Sequence, residues 1–146
     1  MPVSLLDVNV LVALLTEDSV YHSAAQQWFL ANARKGWATC PFTQAGFVRI
    51  VCNPSASRNV IRPAQALEVL EESLRHVGHE FWRDDIGVAE ATAPFQSHLS
   101  GHQQITGACL LGLAYKRKGR LVTSDKAIAS LAAAAGLGNL VTTIAR

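Results

Sequence analysis

Leu5-Leu6-Asp7-Val8-Asn9-Val10-Leu11-Val12-Ala13-Leu14-Leu15 is the stretch that decides the architecture. Val3 to Leu6 is a short apolar run stopped by a carboxylate, and the eight residues after Asp7 are apolar on most sides. A buried strand that ends at a polar residue and passes directly into a buried helix has this pattern. The arrangement recurs once. Arg120-Leu121-Val122-Thr123 runs through Ser124 into Asp125, and an alanine-rich stretch from Ile128 to Ala135 follows, stopped by Gly136. Two strand–acid–helix junctions imply parallel strands joined by crossover helices, and therefore a sheet covered on both faces.

The chain between these junctions keeps the same alternation. Glu17-Asp18-Ser19 breaks the first helix, and His22 to Ala33 predicts a second, with Ala25, Trp28, Phe29 and Ala33 on one apolar face. Gly36 to Cys40 reads as a strand closed by Pro41, and Thr43 to Cys52 as a helix ended by Asn53-Pro54. Pro63 opens a helix whose inner face is Ala66, Leu67, Leu70 and Leu74, since proline in a first turn loses no useful donor. His79 to Trp82 is a third strand, and Ile86 to Phe95 a weaker helical stretch. Ile105 to Lys118 is a helix with Cys109, Leu110, Leu113 and Ala114 inside and Gly119 as its stop; Asn139 to Ile144 supplies the last strand. The expectation is one α/β domain over residues 1–146, a three-layer sandwich of about five parallel strands.

The 146 residues are 49% hydrophobic and 16% charged, the balance of a folded globular domain. A net charge of +2 permits nucleic-acid binding without demanding it, because a local patch matters more than the total. Cys40, Cys52 and Cys109 lack CxxC spacing and read as small buried hydrophobes in a reducing compartment. No segment has the apolar length of a membrane span, and Met-Pro-Val-Ser lacks the basic start of a signal peptide, so a cytoplasmic protein is expected. The sequence has neither GxGxxG nor a Walker pattern, which disfavours nucleotide-cofactor chemistry. His22, His76, His79, His98 and His102 are read as forming no zinc set.

Asp7 and Asp125 therefore hold the chemistry. In open parallel sheets the carboxyl ends of the strands form the ligand crevice, and two acids placed there converge. Unshielded, they repel and raise each other's pKa. A hard divalent cation such as Mg²⁺ or Mn²⁺ relieves that repulsion and prefers oxygen ligands. An N-cap role for each aspartate fits the same pattern equally well, and capping does not exclude metal binding.

At this point the residues reach a family. Leu5-Leu6-Asp7-Val8-Asn9-Val10-Leu11-Val12-Ala13-Leu14 resembles the opening of PIN-domain ribonucleases, in particular the VapC-type toxins of bacterial toxin–antitoxin pairs. Thr43-Gln44-Ala45-Gly46-Phe47-Val48-Arg49-Ile50 with Asn53-Pro54 resembles the second block of one VapC subgroup, and His79-Glu80-Phe81-Trp82 with Asp84-Asp85 its middle. Ile105 to Ala114 and Leu121-Val122-Thr123-Ser124-Asp125 resemble the last two blocks, so the similarity runs through nearly the whole chain in order. The resemblance implies a Mg²⁺- or Mn²⁺-dependent endoribonuclease acting on a structured RNA of the tRNA or rRNA class. It also implies a VapB-type antitoxin in the cleft and a homodimer. Asp7 and Asp125 match family acids as catalytic and metal-binding residues; Asn9 and Thr123 match supporting polar positions.

Two departures stand out. Gly107 follows Thr106 where the family carries a metal-binding aspartate, and Gln44 lies at or near the family's glutamate. Glutamine cannot be an anionic ligand or base, and fewer charges weaken the hold on a hard cation. Three explanations for Gly107 stay open: natural drift, an introduced substitution, or replacement by another acid, with Asp84 and Asp85 the nearest in order. An inactivating change is favoured, because glycine removes the ligand and loosens a helix start. The alternative function is a catalytically silent PIN-fold protein that binds antitoxin or RNA without cleavage. Of the remaining residues, Arg49 is read as holding its helix through an acid slightly ahead of meeting RNA. Lys116-Arg117-Lys118 with Arg120 is read as a solvated helix end, His102 as a residue that could border the site, and Trp82 as the ring best placed to stack on a base.

Overall fold

The computed structural model describes residues 2–56 and 60–146. Five strands form one wholly parallel sheet: β1 (Ser4–Leu6), β2 (Trp37–Thr39), β3 (His79–Phe81), β4 (Arg120–Thr123) and β5 (Val141–Thr143). Their order is β3-β2-β1-β4-β5. The chain leaves β1 to build one side, then returns across β1 to build the other, so the topological switch lies between β1 and β4. That is where a doubly wound sheet opens its ligand crevice.

Side chains alternate across so short a sheet, and the core divides with them. Leu6, Trp37 and Val122 pack on one face with α1 (Val8–Leu15), α2 (His22–Asn32), α3 (Pro41–Val51) and α4 (Pro63–Ser73). Leu5, Ala38 and Leu121 pack on the other with α6 (Ile105–Lys116) and α7 (Lys126–Ala134), and α5 (Val88–Thr92) lies against α6. The three-layer sandwich expected from the two junctions is the observed one. Among the described residues no helix is long and apolar enough to cross a membrane.

The differences from expectation lie at boundaries and have local causes. Pro41 does not close the second strand; it is the first residue of α3. Cys40 is extended, and its backbone N–H donates to Thr43 Oγ1 at 3.0 Å, which caps the helix two residues earlier than its apolar pattern suggests. Leu67 is 49% exposed, not inner: Ala66 and Leu70 carry the buried face of α4. The stretch from Ile86 shrinks to the five residues of α5, and Ala93–His98, with Pro94 in its first turn, continues as a 3₁₀ helix. At the end of α6 the left-handed residue is Lys118 (φ 56°), while Gly119 N–H reaches back to the Ala114 carbonyl at 2.9 Å. Glycine is needed there for space instead: a Cβ on Gly119 would run into the Val3 carbonyl and the Trp82 ring.

Candidate active site

Asp7 is the first residue after β1 and the N-cap of α1, and Asp125 lies two residues after β4 as the N-cap of α7. Leu6 pairs with Val122, and Asp7 N–H donates to the Val122 carbonyl at 2.9 Å, so the two junctions lie side by side. Capping and convergence thus occur together. Both acids line one open cleft of about 610 Å³ at the carboxyl end of the sheet.

The pair is unequal. Asp7 is only 6% exposed, and both its oxygens are engaged. Oδ1 accepts from Val8 N–H at 2.7 Å; Oδ2 accepts from the Thr123 hydroxyl at 2.7 Å and from Asn9 Nδ2 at 3.2 Å. Thr123 is fully buried, and its Oγ1 in turn accepts from Asn9 Nδ2 at 3.2 Å and from Asp125 N–H at 3.1 Å. Asn9 Oδ1 accepts from Ser124 N–H at 3.1 Å, which closes a network linking the two junctions. Asp125 is exposed, and its Oδ1 caps α7 by accepting from Ala127 N–H at 2.9 Å. Burial pushes the Asp7 carboxyl above its ordinary range; the Asp125 charge adds to the rise, while the bonds from Thr123, Val8 and Asn9 oppose it.

Gly107 lies in the first turn of α6 and lines the same cleft. A Cβ placed on it would stand 2.9 Å from Ile128 Cγ1 and 3.0 Å from Cδ1, so the Ile128 side chain occupies the room an acid there would use. Among the described residues no other acid lines the cleft in its place. Asp85 is paired with Arg117 at 3.0 Å and Lys116 at 3.8 Å, and Asp84 lines not the cleft but an adjoining hollow with Cys40 and Cys109. Among the described residues no group of three His, Cys, Asp or Glu side chains converges on one point. The donor set is two carboxylates, and it suits a hard cation that keeps most of its waters and takes one or two protein carboxylates.

Other expectations are corrected by placement. Trp82 is 2% exposed, with its indole N–H on Glu80 Oε1 at 2.8 Å, so it is core and cannot stack on a base. Gln44 points away from the cleft: its Nε2 donates to Thr39 Oγ1 at 2.9 Å, beside His79. His102 does not line the cleft; its neighbour Gln103 does. His98 and His102 are four residues apart but lie in separate 3₁₀ turns, not on one helical face. Arg49 is exposed, lines the cleft and has no carboxylate within ion-pair distance among the described residues, which removes the structural pairing expected for it. Sequence reading also passed over Phe42 and Asn53 as cleft residues. Phe42, Gly46, Arg49 and Ile50 repeat at helical spacing along α3, with Asn53 just beyond its end, and that periodicity is the available signal.

Comparison with known proteins gives the family and the fold. The PIN domain model matches residues 4–134. Ribonuclease VapC39 of Mycobacterium tuberculosis is 43% identical over 131 residues, covering 90% of this chain and 94% of that one. Ribonuclease VapC38 of the same species is 45% identical over 130 residues, covering 88% and 89%. A crystal structure of VapBC2 from Rickettsia felis, bound to a DNA fragment from their promoter, superposes with a TM-score of 0.66 at 13% identity over 98% of this chain and 99% of that one, a likeness of fold. The chain belongs to the PIN-domain family, among the VapC ribonucleases.

Proposed function

We propose that this chain is a VapC-type endoribonuclease toxin whose site is built on Asp7 and Asp125 and depends on Mg²⁺ or Mn²⁺. The observation that carries the reading is the shared hydrogen-bond network of Asp7, Asn9, Thr123 and Asp125 at the switch between β1 and β4. The relatives' names support RNA as the substrate, and the family resemblance supports a tRNA- or rRNA-class target, a VapB-type antitoxin, a homodimer and a cytoplasmic setting.

Each residue has a physical task. Thr123 and Asn9 hold the Asp7 carboxylate in one orientation, so that little reordering is needed when a ligand arrives. Burial keeps water from dispersing the Asp7 charge, and the more open Asp125 presents a solvated oxygen to the same cleft. A divalent cation held by Asp7 and Asp125 would neutralise the pair, activate water and stabilise charge on a phosphodiester. Two carboxylates hold such an ion more weakly than three.

A second reading, a silent PIN-fold protein that binds antitoxin or RNA without cutting, is favoured by one observation: Ile128 fills the space beside Gly107. Calorimetric titration with Mn²⁺, paired with RNA cleavage by Gly107→Asp and Gly107→Asp/Ile128→Val, separates the two. The ribonuclease reading expects Mn²⁺ binding by the chain as it stands, tightened by the new acid, and cleavage that improves when Ile128 is trimmed. Folded double variants that stay inert on every RNA tested overturn it. Absent Mn²⁺ binding with tight antitoxin capture supports the silent form.

A further inference from the structure

Arg49 carries a consequence for how RNA would sit in the cleft. On α3 the cleft-lining residues are Phe42, Gly46, Arg49 and Ile50, spaced along one helical face, and Asn53 lines the cleft just after the helix ends. Gly46 sets how closely that face approaches the site: a Cβ there would stand 2.5 Å from Val8 Cγ2, in the first turn of the helix that Asp7 caps. Arg49 follows one turn later on the same face. The cleft lining therefore carries three charged side chains, Asp7, Asp125 and Arg49. The two acids are tied to Thr123, Asn9 and backbone amides, and neither is within ion-pair distance of Arg49. Arg117, at the far end of α6, is by contrast bound to Asp85 and to the Arg83 carbonyl.

An exposed guanidinium with no carboxylate in ion-pair distance among the described residues, in the same cleft as two acids, is placed to meet an anion. Its planar fork matches the oxygens of a phosphate. We propose that Arg49 is a phosphate-binding residue that grips the backbone of the RNA strand laid across Asp7 and Asp125, a role that rests on the ribonuclease reading. It gives the cleft a fixed cation beside its acids, and so a preferred side for the strand's phosphates.

The test is the salt dependence of RNA binding, read by fluorescence anisotropy with a fluorescein-labelled RNA hairpin in Ca²⁺ buffer. Loss of one phosphate contact lowers the slope of log affinity against log salt by about 0.7–0.9. Arg49→Gln is expected to show that drop, and Arg49→Lys to keep the slope while binding more weakly. Arg120→Gln, exposed at the opposite end of the sheet, should match the unmodified chain. Thermal unfolding should be the same for all, since Arg49 has no carboxylate partner among the described residues. An unchanged slope in Arg49→Gln overturns the proposal alone. So does loss of VapB-type antitoxin capture with RNA binding intact, which would assign Arg49 to the protein partner. If the unmodified chain binds no RNA even at low salt, the ribonuclease reading falls together with it.

Discussion

At the carboxyl ends of β1 and β4, Asp7 and Asp125 raise the local negative charge, and among the described residues no cation pairs with either. At the other end of α6, about 18 Å away along a twelve-residue helix, every arrangement runs the opposite way. Lys116 and Arg117 meet Asp85, and Gly119 lets the chain pass tightly between Val3 and Trp82. One end keeps charge unsatisfied for a ligand, and the other satisfies charge and fills space. The comparison teaches that two cations of the densest basic cluster, Lys116 and Arg117, are held by an acid, while Arg49 lines the cleft.

The comparison breaks most easily at Asp7. In a Gly107→Asp background, Asp7→Ala is expected to lower RNA cleavage by more than about 100-fold, since groups that merely orient a metal ligand already cost 10–100-fold. It should also cost about 2 kcal/mol of stability in urea unfolding, because α1 loses its cap and the buried Thr123 hydroxyl loses its acceptor. Asp125→Ala should match the loss of cleavage at a smaller cost in stability, its cap being exposed. Equal destabilisation by the two would show that burial does not distinguish them.

At the opposite end the large effect is steric. Gly119→Ala is expected to destabilise by about 1–3 kcal/mol, as overpacking does, because the Val3 backbone cannot yield as a side-chain tip can. Cleavage per folded molecule and Mn²⁺ affinity should be unchanged. A variant that unfolds no earlier but binds Mn²⁺ poorly would mean that the two ends are mechanically coupled.

A pH series sharpens the electrical side of the contrast. Folded Asp7 holds its proton above the ordinary carboxylate range, chiefly through burial and secondarily through Asp125. The folded state therefore binds that proton more tightly than the unfolded one. Its contribution to stability is full below the unfolded pKa and is lost as pH rises through the folded pKa. Asp7→Asn, which keeps the shape without the titration, should flatten this part of the profile in thermal melts and gain relative stability towards neutral pH. Mn²⁺ should stabilise the unmodified chain on the high-pH side and leave Asp7→Asn unmoved.

These contrasts were only partly legible in the chain. The five strands and the two acids were, because a strand, a carboxylate and a helix follow one another without interruption at Leu5–Leu15 and again at Leu121–Ala135. The positions misread depend on partners distant in sequence. Trp82 is sealed by Gly119, Arg49 shares the helical face that Gly46 brings up to Val8, and Leu67 faces outward because Ala66 and Leu70 take the buried face of α4. Arg49 looked like a structural cation and Arg117 like a solvated one; Asp85, 32 residues from Arg117, reverses the two roles.

That reversal gives the smallest expected effect. Asp85 lies on the surface, with its side chain 48% exposed, so its ion pairs with Arg117 and Lys116 are screened. Asp85→Asn is therefore expected to cost about 0.2–1 kcal/mol in denaturant unfolding, less in high salt. Arg117 would keep its bond to the Arg83 carbonyl at 2.9 Å, which limits the loss. The variant also frees two cations at the end remote from the cleft. If that end took part in RNA binding, the anisotropy slope against salt would steepen. An unchanged slope, beside the shallower one expected of Arg49→Gln, would confine RNA contact to the end of the sheet where the acids lie.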